Sequence, residues 1–261
     1  MLKDYVQGKQ TYAQLAQREK VGKRTIQRRL DKSELLQARE EIKPGRTVIL
    51  MDTTYFHRTF GVMVWRDWYR KKNLQRRYLK YETIAEYKAG IVRLQEQGWT
   101  IVGIVCDGRR GLLGGFSGIP TQMCHFHQKQ IIQRYITKNP RLEAGKELKE
   151  IMKWLSITDR ENFTELLRRW HERWKEFLSE KTNDQETGRW HYTHKRIRSA
   201  YRSLKTNLPY LYTYLDYPDL KIPNTTNSLE GTFSHIDTML RLHNGMKKER
   251  KIKVVDSLLF C

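Results

Sequence analysis

Three carboxylates are placed by their neighbours where chemistry could use them. Asp52 closes the apolar run TVILMD, Asp107 closes TIVGIVCD, and Glu230 follows Asn224, Thr225, Thr226, Asn227 and Ser228 in IPNTTNSLEGTF. The first two read as acids at the ends of buried strands. The third reads as an acid in the first turn of a helix. If the two strands are parallel neighbours, both carboxylates point to one sheet edge, where like charges repel unless a cation lies between them. A third acid on a helix crossing that edge completes a hard-oxygen set suited to Mg²⁺ or Mn²⁺. Two such ions about 3.5–4 Å apart activate an attacking oxygen and stabilise a leaving one in an in-line phosphoryl displacement. Each acid also has a plainer reading. Asp52 and Asp107-Gly108 could simply begin turns, and Glu230 could cap its helix behind Asn or Ser. Spacing alone does not exclude Asp67, Glu82 or Asp237 from the same role.

A second cluster, CHFH, holds Cys124 and His127. A structural zinc needs about four ligands at pairable spacing, and no second Cys/His pair appears, so no zinc site is expected. The cysteines Cys106, Cys124 and Cys261 are odd in number and widely spaced, which argues against a disulfide framework and for a reducing cytosol. The start MLKDYVQGKQ has no apolar signal region. No run approaches the roughly 18 apolar residues of a membrane span, so no membrane partner is expected.

The 261 residues carry 50 Lys and Arg against 29 Asp and Glu, a formal charge of +21. A chain this basic calls for a polyanion, and nucleic acid is the default because neutralising phosphates releases counterions. The cations are spread along the chain instead of lining one amphipathic helix, which disfavours an anionic membrane surface.

The elements that must position these groups follow from periodicity. Residues 8–31 fit two short helices about a turn at Val21–Gly22, with Thr11 capping the first: a helix-turn-helix pattern. Its second helix presents Lys23, Arg24, Thr25, Gln27 and Arg28, donors suited to phosphates and base edges in a major groove. A solvated basic helix pair is the alternative. A charged linker is expected over 37–46. Strands are expected at 47–56, 60–67, 74–82 and 99–108, a helix at 83–98, and a segment at 121–137 that starts extended and turns helical. Residues 140–215 read as helical apart from a polar loop at 184–188, and 189–194 read as part of the helix that resumes. Three strands, helix, strand, helix, strand, helix is the order of a ribonuclease-H-like α/β domain with a mixed sheet. The expected division is 1–36 helix-turn-helix, 37–46 linker, 47–139 first part of the catalytic domain, 140–221 an all-helical insertion, and 222–261 the Glu helix with a basic tail.

MDTTYF, CDGRRGLL, QMCHFHQKQ and IPNTTNSLEGTFSHIDTMLRLHNGMKKERK, in that order, resemble the Mutator-like superfamily of DDE transposases in its bacterial insertion-sequence branch. The resemblance covers about residues 8–259, judged by motif order. It implies a ribonuclease-H-like catalytic domain interrupted by a helical insertion, with Asp52, Asp107 and Glu230 as catalytic and metal-binding triad for two Mg²⁺ or Mn²⁺ ions. It implies transposition by water attack on a phosphodiester and then 3′-OH attack on target DNA. It makes Cys124 and His127 an active-site edge, from which His127 could approach the scissile phosphate. Transposon ends and target, both double-stranded DNA, are the implied partners. A homodimer follows from bringing two ends together, in a bacterial cytoplasm at the nucleoid. In the insertion, Trp190 with Arg196, Arg198 and Arg202 suits base stacking plus phosphate contact, against the alternative of a helical core with a basic face. Arg241, His243, Lys247 and Lys248 would clamp DNA backbone behind the Glu helix. Many relatives carry a zinc ribbon ahead of the helix-turn-helix, whereas no Cys precedes Cys106, and the chain stops soon after MKKERKIK. A catalytically inactive or truncated DNA-binding relative, or a metal nuclease of ribonuclease-H type, therefore stand as alternatives.

Overall fold

The computed structural model describes residues 1–33, 42–56, 60–243 and 245–260. In chain order these form α1 (Leu2–Val6), α2 (Tyr12–Arg18), α3 (Lys23–Lys32), β1 (Arg46–Phe56), β2 (Phe60–Asp67), β3 (Lys72–Leu79), α4 (Ile84–Glu96), β4 (Thr100–Cys106), β5 (Thr121–Met123) and α5 (His125–Ile136). There follow α6 (Glu143–Trp154), α7 (Arg160–Ser179), β6 (Lys181–Asn183), β7 (Trp190–Tyr192), α8 (Lys195–Leu211), α9 (Thr213–Asp216), α10 (Asn227–Leu242) and α11 (Lys248–Leu259). The fold is α/β. A five-stranded sheet runs in the order β3-β2-β1-β4-β5. It is mixed: β1, β4 and β5 are parallel, while β2 and β3 are antiparallel. Among the described residues no helix is long and apolar enough to cross a membrane. The linker expected over 37–46 lies outside the described residues as far as residue 41.

The chain divides into two compact units, the first built from Met1–Gly45, Asp52–Thr83 and Asn227–Cys261. Within it Thr11 and Gln14 close a reciprocal capping box that starts α2, so the cap expected of Thr11 is present. Ile26 and Leu30 are buried along one side of α3. The α3 side carrying Asp31 meets α11, where the buried Arg250 donates to the Asp31 carboxylate at 2.7 Å and to the Tyr12 hydroxyl. α11 also meets the β2–β3 hairpin. Asp256 is buried and accepts from both Arg76 nitrogens and from the Tyr78 hydroxyl at 2.8 Å. Asn73 donates to the Leu259 carbonyl at 2.6 Å. A charged group so deep is stable only when its lone pairs are filled, as they are here.

The second unit comprises Arg46–Met51 and Ile84–Thr226. The apolar β1 start pairs with β4, itself buried from Ile104 to Cys106. Tyr87, Ile91 and Leu94 form the buried stripe of α4, and Gly98 ends it in the left-handed conformation that glycine adopts without strain. β5 and α5 are tied to α8 and the α6–α7 turn by a polar network. His125 touches the Leu211 carbonyl at 2.6 Å and Ser156 at 3.2 Å, and Gln122 donates to Leu211 at 2.8 Å. The region expected to be wholly helical contains a hairpin, in which β6 and β7 pair antiparallel. Residues 190–192 are therefore strand, and the helix begins at Lys195. The physical reason is local. Asp184 accepts from the Glu186 and Thr187 N–H groups and closes a turn, and Gly188 takes the positive φ that turn requires.

Candidate functional site

The first unit holds two of the three acids. Asp52 lies in β1, 7% exposed, and accepts the Thr53 N–H at 2.8 Å, which orients its carboxylate. Glu230 stands in the first turn of α10, where Leu229 and Phe233 are buried and hold the helix down. Far apart in sequence, the two side chains have carboxylate oxygens within 4.8 Å of one another. Burial pushes the Glu230 carboxyl above its usual range. A buried and a half-buried acid this close favour a shared proton or a cation. Asp67 shows what a strand-end acid looks like when it serves structure alone. It is fully buried, accepts the Tyr69 and Arg70 N–H groups of its own turn, and pairs with the Arg70 guanidinium at 2.7 Å. Asp237 is engaged by Arg241 one turn on, at 2.7 Å.

The second unit holds Asp107, half-buried just past β4. It accepts the Arg109 N–H at 3.2 Å. Burial raises its carboxyl, opposed by that hydrogen bond and by the charges of Arg109 and Arg134. The β1–β4 pairing shifts register between Thr47 and Val48 and then reaches Leu50 opposite Val105.

Cys124 precedes α5, and its sulfur accepts from both the N–H and the hydroxyl of Thr226 at 3.3 Å. The His125 N–H donates to the Asn224 carbonyl at 2.8 Å. The start of α5 thus pins the loop that leads into the Glu230 helix. Burial pushes the Cys124 thiol up, so it stays protonated and is a poor metal ligand. His127 is half-buried in the first turn of α5.

Of the basic residues read from the sequence, Lys23, Arg24 and Arg28 are exposed on α3, and Thr25 and Gln27 are half-buried. Arg241, Lys247 and Lys248 are exposed. His243 is different: it is buried, with its ring centroid 4.0 Å from that of Tyr5, and burial lowers its basicity. It packs the interior of the first unit instead of facing outward to a backbone. Trp190 is exposed beneath Lys181, whose ammonium lies 4.1 Å from the ring centre. Arg196 donates to the Tyr135 carbonyl at 2.8 Å, so it caps the end of α5. Arg198 lies 3.5 Å over the Tyr192 ring, and Arg202 is exposed. Sequence reading missed Arg250, Asp31 and Asp256 as the ties that hold α11, because no local pattern links residues so far apart.

Compared with models of known protein families, the chain matches none, and no curated protein sequence matches it.

Proposed function

We propose that the chain is a DDE-type DNA transposase of a bacterial insertion sequence, of the Mutator-like superfamily, with a ribonuclease-H-like catalytic fold and a helix-turn-helix at its start. The observation that carries the proposal is the approach of Asp52 and Glu230, carboxylate oxygens within 4.8 Å, from segments at opposite ends of the chain. Helix capping alone would give Glu230 no reason to meet an acid. Supporting it are the sheet order β3-β2-β1-β4-β5 and the +21 charge.

Asp52, Asp107 and Glu230 are the proposed holders of two Mg²⁺ or Mn²⁺ ions. Carboxylate oxygens fit these hard cations, and the protonated Cys124 does not compete. Bound metal would supply Lewis acidity at the scissile phosphate and a lowered pKa for an attacking oxygen. The chain's own part is orientation. Thr53 N–H turns the Asp52 carboxylate, Arg109 N–H turns that of Asp107, and the buried face of α10 fixes Glu230. The exposed cations of α3 and Lys247–Lys248 would grip backbone phosphates of double-stranded ends and target. A homodimer would hold two ends, in the cytoplasm at the nucleoid.

The test uses supercoiled DNA carrying the gene's flanks. Nicking and strand joining that need Mg²⁺, stop with EDTA and vanish in Asp107→Ala while DNA binding stays are the expected result. Binding without cleavage in the wild type would favour the inactive DNA-binding relative. Cleavage without joining would favour the metal nuclease.

A further inference from the structure

Within the second unit, α7, β7 and α8 enclose a cavity of about 410 Å³ lined by His171, Tyr192, Lys195, Arg198, Tyr201, Arg202 and Lys205 among others. That volume falls in the roughly 300–1,000 Å³ range of ligand sites. Lys195, Arg198, Arg202 and Lys205 recur at helical spacing and so share one side of α8. Among the described residues no carboxylate lines the cavity. Two acids of α7 are committed elsewhere, Glu165 and Glu172 to Arg168 and Glu165 also to Arg169. Four cations on one wall without an acid repel one another, a cost that a bound anion removes.

Two further features make the pocket more than a charged surface. Arg198 is held in place: its guanidinium donates to the Leu178 carbonyl and lies over Tyr192, 3.5 Å from the ring centre. A cation fixed in advance loses little entropy when it meets a phosphate. The lining is also aromatic, with His171 of α7 and Tyr201 of α8 stacked at 4.5 Å and 13°. A held guanidinium, exposed cations beside it and aromatic rings in the lining are the parts of a site for a nucleotide with its base out of the stack.

We propose that this cavity binds an unpaired nucleotide of a DNA strand, its phosphate among the α8 cations and its base against Tyr201 and His171. The outer cations Lys195, Arg202 and Lys205 are exposed, so a strand can enter and leave along them. A free nucleotide shares the chemistry but would leave that exposed row unused. The inference does not rest on the metal centre. It is measured in EDTA, so either reading can fail alone.

The probe is a fluorescein-labelled oligodeoxythymidine, read by anisotropy against a labelled duplex of equal length. Arg202→Ala/Lys205→Ala changes exposed side chains only and should keep the wild-type circular dichroism. It should weaken single-strand binding at least about ten-fold and duplex binding less than about three-fold. An oligonucleotide with 5-iododeoxyuridine should cross-link to peptides containing His171, Tyr192 or Tyr201. Unchanged single-strand affinity in the double variant, or cross-links confined to other peptides, would overturn the proposal. Thymidine monophosphate displacing the probe as well as unlabelled oligonucleotide does would overturn the strand assignment in favour of a free nucleotide.

Discussion

Asp52, Asp67, Asp107 and Glu230 are chemically alike, and what separates them is where their hydrogen bonds go. Asp67 spends its oxygens on its own turn and on Arg70. Glu230 faces the Asp52 carboxylate within 4.8 Å, and its acidity is weakened by burial. A cation between them would relieve that repulsion. Without metal, Glu230→Gln should therefore unfold at a higher temperature than wild type, because it removes one of two like charges. With Mg²⁺ the order should reverse. A ligand bound only to the folded state at a hundred times its Kd adds about 2.7 kcal/mol, and the variant should gain much less. Differential scanning calorimetry in EDTA and in MgCl₂ reads both arms. An equal gain in the two proteins would remove Glu230 from any ion site.

At the scale of elements, the start of α5 is the best-determined join in the second unit. The Leu211 carbonyl can only accept, so His125 Nε2 carries the proton and Nδ1 is left to accept from Ser156, which itself accepts from Lys129 at 3.0 Å. Burial, helped by Lys129, pushes the His125 pKa down to about 4. A histidine whose folded pKa is depressed contributes stability that is present above its unfolded value near 6.5 and is lost as pH falls towards 4. The loss amounts to roughly 3 kcal/mol over that window. His125→Gln keeps a donor for Leu211 but does not titrate. Its urea stability should fall less than that of wild type between pH 6.5 and 4, and parallel pH profiles would refute the assignment.

The same elements show which parts of the fold are legible in sequence. Long apolar runs and amphipathic stripes mark β1, β2, α4 and β4 within a few residues of their observed ends. Thr11 is legible because a capping box is local. The β6–β7 hairpin is not legible: Lys181, Thr182 and Asn183 are all exposed, so no alternation of burial is written into them. Nor does spacing reveal that His243 turns inward to Tyr5, or that Arg250 binds Asp31. Those are contacts between distant segments, and a helix-periodic basic run reads the same whether a given face is wet or packed. Of the acids, the ends of apolar runs mark Asp52 and Asp107 but equally Asp67; β1 runs on to Phe56, so Asp52 lies within its strand and not at its end, and only the hydrogen bonds of its turn set Asp67 apart.

At the scale of the whole molecule, charge is the dominant fact. With a formal +21 spread over the chain, duplex binding should be governed by counterion release and fall steeply with salt. Several of the 50 cations are paired with acids and drop out of that excess. Arg250 serves Asp31, Arg76 serves Asp256, and Arg168 and Arg169 serve Glu165. Lys23, Arg24 and Arg28 differ, being exposed on α3, whose other side is packed through Ile26, Leu30 and the Asp31 contact to Arg250. If that face grips duplex phosphates, each cation releases about 0.9 of a counterion when it docks. Replacing all three with Ala should lower the slope of log K against log salt by about 2–3, with the fold intact because none of the three is buried. Replacing three cations of α6, the exposed Lys146 and Lys153 and the half-buried Lys149, removes the same net charge and serves as control. If duplex binding is general attraction to a basic body, the two triple variants will lose affinity and slope alike. If α3 is the docking face, only the first will, and that difference separates a directed DNA-binding surface from charge alone.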